Sequence, residues 1–96
     1  MRPTLHPGDR LRVDVRAYRG RAPRVGEIVV FVDPTEASRW LIKRVSAVDR
    51  SAGTVEVRGD AIETSRDSRR FGPVPFGALV GRAYECYYPP ARRRGL

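Results

Sequence analysis

Of the 19 Lys and Arg side chains in this 96-residue chain, all but one are Arg. The exception is Lys43, inside the apolar stretch "RWLIKRVSAV" (39–48). The distinction matters chemically. A guanidinium stays protonated in a protein, whereas a desolvated amine can give up its proton. Burial among apolar groups lowers an amine pKa from about 10.4 toward about 7–8. Trp40, Leu41, Ile42 and Val45 are the neighbours in sequence that could bury it. A neutral amine can take a proton from a hydroxyl, which is the basis of Ser–Lys acyl-transfer chemistry. Arg44 would lower the amine pKa further if it faced the same way, but strand alternation turns it to the other side. The plain alternative is a Lys whose stem lies along a strand edge while its ammonium reaches water.

Other residues with chemical potential are sparse. His6 and Cys86 each occur once, which excludes an intrachain disulfide and a zinc cluster, so no metal or cofactor is expected. Cys86, in "AYECYY", reads as a buried, inert thiol, and His6, in the turn "HPGD", as a surface residue. The segment "GDAIETSRDSRRFGPV" (59–74) is polar, carries both signs of charge and lies between two strand patterns. Loops of this kind carry function more often than strands do, although Asx turns and ion pairs on an ordinary surface loop also account for it. Thr4, Ser46, Ser65 and Ser68 offer hydroxyls, and nothing in their surroundings marks one as a nucleophile.

The elements that must position Lys43 read as strands. "RLRVDV" (10–15) alternates, with Leu11, Val13 and Val15 on one face. "EIVVFV" (27–32), "WLIKRVSAV" (40–48), "TVEVRG" (54–59) and "LVGRAYECYY" (79–88) follow. Between them lie "YRGRAPRVGE", "DPTEASR" and "DRSAG", all turn or loop signals. The only helix candidate is a single turn near "VPFGAL" (74–79). The expectation is an all-β, small antiparallel barrel or sandwich with little helix. One domain over 1–90 with a basic tail at 91–96 fits the length.

The formal net charge is +8, which favours acidic partners such as nucleic acid or anionic lipid. The Arg residues are nevertheless dispersed, and base-stacking aromatics do not alternate with them. No run approaches the ~18 apolar residues of a bilayer-spanning helix, and no signal peptide opens the chain. As it stands, the chain reads as soluble and unanchored.

Several stretches in order resemble the type I signal peptidase (leader peptidase) family of membrane-bound serine endopeptidases. "MRPTLHPGDRLRV" is similar to the family's first motif from its Met onward; "IKRV" resembles its Lys-Arg-Val box; "GDAIETSRDSRRFGPV" resembles its Gly-Asp-Asn and Ser-x-Asp-Ser-Arg box; and "LVGRA" follows at 79–83. The resemblance covers nearly the whole chain, in its minimal version without a large inserted β-region. It implies that Lys43 is the general base and that the Ser65 hydroxyl orients its amine. It implies structural ion pairs of Arg44 with Asp60 and of Asp67 with Arg69. It also implies that Leu5 and Ile42 line a shallow pocket for the small residue before the cut. The implied substrate is an extended peptide, added as a strand, with small side chains at an A-x-A cleavage site.

Two departures accompany the resemblance. Ala61 stands where the family has Asn. The family nucleophile is the Ser directly before the Met, so it would precede Met1, as would the membrane anchor. On that expectation the 96 residues alone are inactive, and the full-length protein sits in the plasma membrane with an extracytoplasmic catalytic face. A catalytically dead, peptide-binding relic of the same fold, or a basic nucleic-acid-binding β-barrel, are the alternatives.

Overall fold

The computed structural model of the chain describes residues 10–59, 72–88 and 93–96. Its elements are β1 (Arg10–Asp14), β2 (Ile28–Asp33), β3 (Glu36–Asp49), β4 (Thr54–Arg58), β5 (Val74–Pro75), a 3-10 turn (Phe76–Ala78), β6 (Leu79–Tyr88) and β7 (Arg94–Gly95). All pairings are antiparallel, in the order β1-β6-β2-β3-β4-β5, with β7 alongside β6. The all-β class and the small helix content agree with the sequence reading. The sheet is open, with β1 and β5 at its ends among the described residues, rather than closed into a barrel.

β2 reads as an unbroken apolar run because it lies inside the sheet, between β6 and β3, with residues buried on both faces. One face carries the main core: Val29 and Phe31 of β2, Val45 of β3, Val55 and Val57 of β4 and Val74 of β5, with Tyr18, Leu41 and Phe76 packed against them. Ile28, the next residue along, turns to the opposite face, where it pairs with Ala83, and both are buried.

Two boundaries differ from the expectation. β1 ends at Asp14, so Val15 does not continue its apolar face and is 61% exposed. β3 begins at Glu36, which cuts the turn between β2 and β3 to Pro34 and Thr35. The buried Asp33 carboxylate closes that turn by accepting hydrogen bonds from the Thr35 amide (2.8 Å) and hydroxyl (2.7 Å). Residues 36–40 are exposed, so no apolar period marks them as strand; Glu36 pairs with Asp33 and Trp40 with Val32, across an irregularity in the register.

Gly81 has a specific packing role. A Cβ added there would lie 2.5 Å from the carbonyl oxygen of Asp14 and 2.9 Å from its carbon. Both are backbone atoms of β1, so neither can swing aside. Gly81→Ala should therefore lower stability by about 1–3 kcal/mol, the usual cost of overpacking. Urea unfolding checks this, and an unmoved midpoint would mean that the end of β1 yields freely.

Candidate active site

Lys43 sits in the middle of β3, opposite Val29 of β2. It is 8% exposed, one of the two buried charged residues among those described. Leu41 and Val45 flank it on the same face of the strand, and Val45 belongs to the main core while Leu41 packs against it. The desolvating surroundings are therefore Val29, Leu41 and Val45. Trp40, expected to contribute, does not: it pairs with Val32 on the other face and is 64% exposed. Ile42 likewise pairs with Val30 and is turned away from the Lys43 face.

Arg44 obeys the alternation. Its side chain leaves on the face opposite Lys43, and Nη1 donates to the carbonyl of Gly26 at 2.9 Å. Its strand partners are Ile28 on β2 and Arg58 on β4. Arg58 ends β4, and the buried Gly59 follows immediately. The chain thus enters the polar segment after residue 59 at the level of Lys43, and it rejoins the sheet where Val74 pairs with Val55. Ser65, Asp60, Asp67, Arg69 and Leu5 lie outside the described residues.

The sheet also leaves an edge beside Lys43. β2 pairs with β3 from Glu36 to Arg44, whereas β4 covers β3 only from Arg44 to Asp49. Among the described residues, the side of β3 away from β2 is therefore uncovered from Glu36 to Lys43. An extended peptide could add there as a strand. Ile42 and Lys43 would then flank it from its two faces.

One constellation was not foreseen. In the loop before β2, Arg24, Val25, Gly26 and Glu27 form a turn in which the Glu27 amide donates to the Arg24 carbonyl (3.1 Å). Gly26 takes φ +94°, the left-handed conformation that position i+2 of a type II turn demands. The Gly26 amide donates to the carbonyl of Val45 (2.9 Å), and the Val45 amide donates to the carbonyl of Glu27 (2.8 Å). Two residues thus oppose one, a bulge of the glycine-first type. It fixes Glu27 opposite Val45, on the core face and one step along from Lys43.

The Glu27 carboxylate is the hub of a polar cluster. Oε1 accepts from the Arg24 amide (2.8 Å), Arg21 Nη1 (3.1 Å) and the Tyr18 hydroxyl (3.3 Å). Oε2 accepts from Arg21 Nη2 (2.7 Å) and faces Arg82 Nε at 3.3 Å. Burial works to raise the carboxyl pKa, but the Arg21 and Arg24 hydrogen bonds and the Arg21 and Arg82 charges outweigh it, and the net shift is downward. Burial, followed by the charge and hydrogen bond of Glu27, pushes the Tyr18 hydroxyl above the ordinary phenol range. An open hollow of about 710 Å³ adjoins the cluster, lined in part by Arg16, Arg21, Arg82 and Tyr84. Two features hint at it along the chain: the Val-Gly-Glu turn signal before an apolar run, and Arg82 inside the "LVGRA" stretch. Neither reveals that the two meet.

No group of three metal-ligating side chains occurs among the described residues. Among them, no helix is long and apolar enough to cross a membrane. Cys86 is buried, and its Sγ lies 3.6 Å from the carbonyl of Tyr88.

Comparison with known proteins follows the same line. Residues 1–50 match the family model described as signal peptidase, peptidase S26. The chain is 36% identical over 110 residues to a mitochondrial ATP-independent inner membrane protease subunit 1b of Arabidopsis thaliana, covering 93% of the chain and 65% of that protein. It is 31% identical over 116 residues to a mitochondrial inner membrane protease subunit 2 of Mus musculus, covering 100% of the chain and 66% of the relative. It is 31% identical over 133 residues to a probable signal peptidase I-2 of a Synechocystis strain, covering 96% of the chain and 61% of the relative. The chain thus spans a little under two thirds of the length of these relatives. With a buried Lys on the core face of an antiparallel sheet and motifs in register along the chain, the protein belongs to the signal peptidase (peptidase S26) family of proteases.

Proposed function

We propose that the protein is the catalytic portion of a membrane-associated Ser/Lys endopeptidase that removes signal peptides or matures exported proteins. One observation carries the reading: the single amine side chain of the protein is withdrawn from water on the core face of β3, beside an uncovered strand edge. Lys43 acts as general base. Its neutral amine takes the proton from a Ser hydroxyl as the oxygen attacks the scissile carbonyl carbon. The ammonium then returns that proton to the leaving amine as the peptide bond breaks. Water hydrolyses the acyl-enzyme with Lys43 again as base, and the chain is regenerated. The nucleophile is the residue directly before Met1. Ser65 orients the amine, and the Arg44–Asp60 and Asp67–Arg69 pairs hold the 59–74 segment against β3.

The substrate is an extended peptide with small side chains before the cut, hydrogen-bonded to the uncovered edge of β3. Leu5 and Ile42 limit the pocket. The relatives, inner membrane proteases and a probable signal peptidase by name, support a membrane setting. In a bacterial cell that setting is the extracytoplasmic face of the plasma membrane. The Arg side chains that engage neighbouring tyrosines and carboxylates on this chain favour an intramolecular use of the basic charge over a nucleic-acid surface. The test is cleavage of an Ala-x-Ala peptide by a form extended upstream to include Ser before Met1, against the 96 residues alone. Binding of the peptide without cleavage by the extended form would sink the enzyme reading in favour of a peptide-binding relic.

A further inference from the structure

We propose that Glu27, clamped by Arg21 and Arg82, is a positioning residue that sets the protonation of Lys43 while being kept from pairing with it. The inference rests on the reading of Lys43 as a base for its purpose, but not for its physics.

The geometry comes from the register. Lys43 faces Val29, and the bulge at Gly26 puts Glu27 opposite Val45, so Glu27 and Lys43 stand diagonally across the β2–β3 pair on one face. Diagonal neighbours on a sheet lie roughly 7–8 Å apart, within reach of long side chains. Arg82 completes the same row, because Val29 pairs with Lys43 on one side and with Arg82 on the other. A bare carboxylate in this place would favour the ammonium form of Lys43 and spoil it as a base.

The carboxylate is not bare. Its oxygens meet two guanidinium nitrogens of Arg21, one of Arg82, the Arg24 amide and the Tyr18 hydroxyl. The four hydrogen bonds, from Arg21 twice, the Arg24 amide and the Tyr18 hydroxyl, fill the carboxylate's lone pairs, and Arg82 Nε adds its charge at 3.3 Å without a hydrogen bond. One negative and two positive charges leave the cluster net positive, so it opposes protonation of the nearby amine. Other described charges share the sheet: Asp33, buried at the end of β2, follows Phe31 by two residues and accepts the Thr35 amide and hydroxyl. Asp14 lies beyond Arg82 in the same row and accepts the Arg16 amide at 2.9 Å. Arg44 and Arg58 leave on the other face, and β4 presents Val57 and Val55 on the Lys43 side.

Because Lys43 is the only Lys, incorporation of ε-¹³C lysine gives one NMR signal, whose titration reads this amine in the intact chain. Arg82→Gln leaves Glu27 less balanced and should move the midpoint up by about one pH unit, for charges at this separation in a medium of effective dielectric about 20. Glu27→Gln leaves two cations and should move it down by a similar amount. Arg21→Gln, on an outer loop, should act like Arg82→Gln and serves if the Arg82 variant fails to fold. Opposite signs are the signature of charge; a packing role would not produce them. Midpoints that stay put, or shifts of one sign in all variants, would overturn the proposal. Coupling in a protein whose extended form does not cleave would overturn the base assignment alone. A cleaving enzyme with an uncoupled Lys43 would overturn only the role of Glu27.

Discussion

Lys43→Met, in a form of the protein extended to carry Ser before Met1, should lower kcat/KM on an Ala-x-Ala peptide by roughly 10²–10⁴-fold, the usual worth of a general base. Met keeps the length and the apolar stem of Lys and has no proton acceptor of comparable basicity. Lys43→Arg should lose as much, since a guanidinium stays charged at any accessible pH. The stability readout separates chemistry from folding. Lys43 is 8% exposed and stands among Val29, Leu41 and Val45, where the Met side chain can pack in place of the Lys stem. Lys43→Met should therefore remain folded, with a cooperative urea transition, while cleavage collapses. Loss of both together would point to a structural Lys, and retained cleavage would remove Lys43 from the mechanism.

The second large effect is on the core. Phe31→Ala should cost about 3–5 kcal/mol, through lost transfer energy and the cavity left behind. Phe31 is fully buried, the largest side chain in that state among the described residues, and lies on the interior strand β2 between Leu41 and Leu79. A domain of this size has only about 5–15 kcal/mol in hand, so the variant should be largely unfolded at elevated temperature. Equilibrium urea unfolding gives the value. A loss below that of an exposed-site control such as Val25→Ala would mean that the core collapses around the gap. Val29 also belongs to this core and abuts Lys43, so partial loosening should reach the amine as well.

How much of this was legible in the sequence varies with the physical signal. β2, β4 and β6 were readable because burial on one or both faces writes itself as alternation or as an apolar run. The opposed directions of Lys43 and Arg44 followed from strand geometry alone. The first residues of β3 left no such trace: Glu36 to Trp40 are exposed, and the pairing of Glu36 and Trp40 with β2 at its two ends is what joins them to the sheet. β5 and β7, two residues each, are too short for any period. Trp40 misled because its size suggests burial, while its register places it on the outer face. The Glu27 cluster was hidden for another reason. Glu27 and Arg82 are far apart in the chain and meet only because β6 pairs with β2, a fact of topology. Composition shows their charges but not their meeting.

The Arg-rich character of the chain has a consequence at the sheet's end. Among the described residues, β1 pairs only with β6, and a strand with one uncovered edge invites a second molecule to continue the ladder. Here the exposed side chains are Arg10, Arg12 and Asp14; the two Arg are laid over tyrosine rings of β6, Tyr88 at 4.7 Å and Tyr87 at 4.6 Å, with Arg12 also bonded to Glu85 at 2.7 Å. An approaching copy would bring its own β1 guanidiniums against these, and the like charges would have to be desolvated together. The short, cationic, tyrosine-pinned margin acts as a guard against edge-to-edge aggregation. Among the described residues, the uncovered stretch of β3 beside Lys43 is a second open edge, outside the reach of this guard.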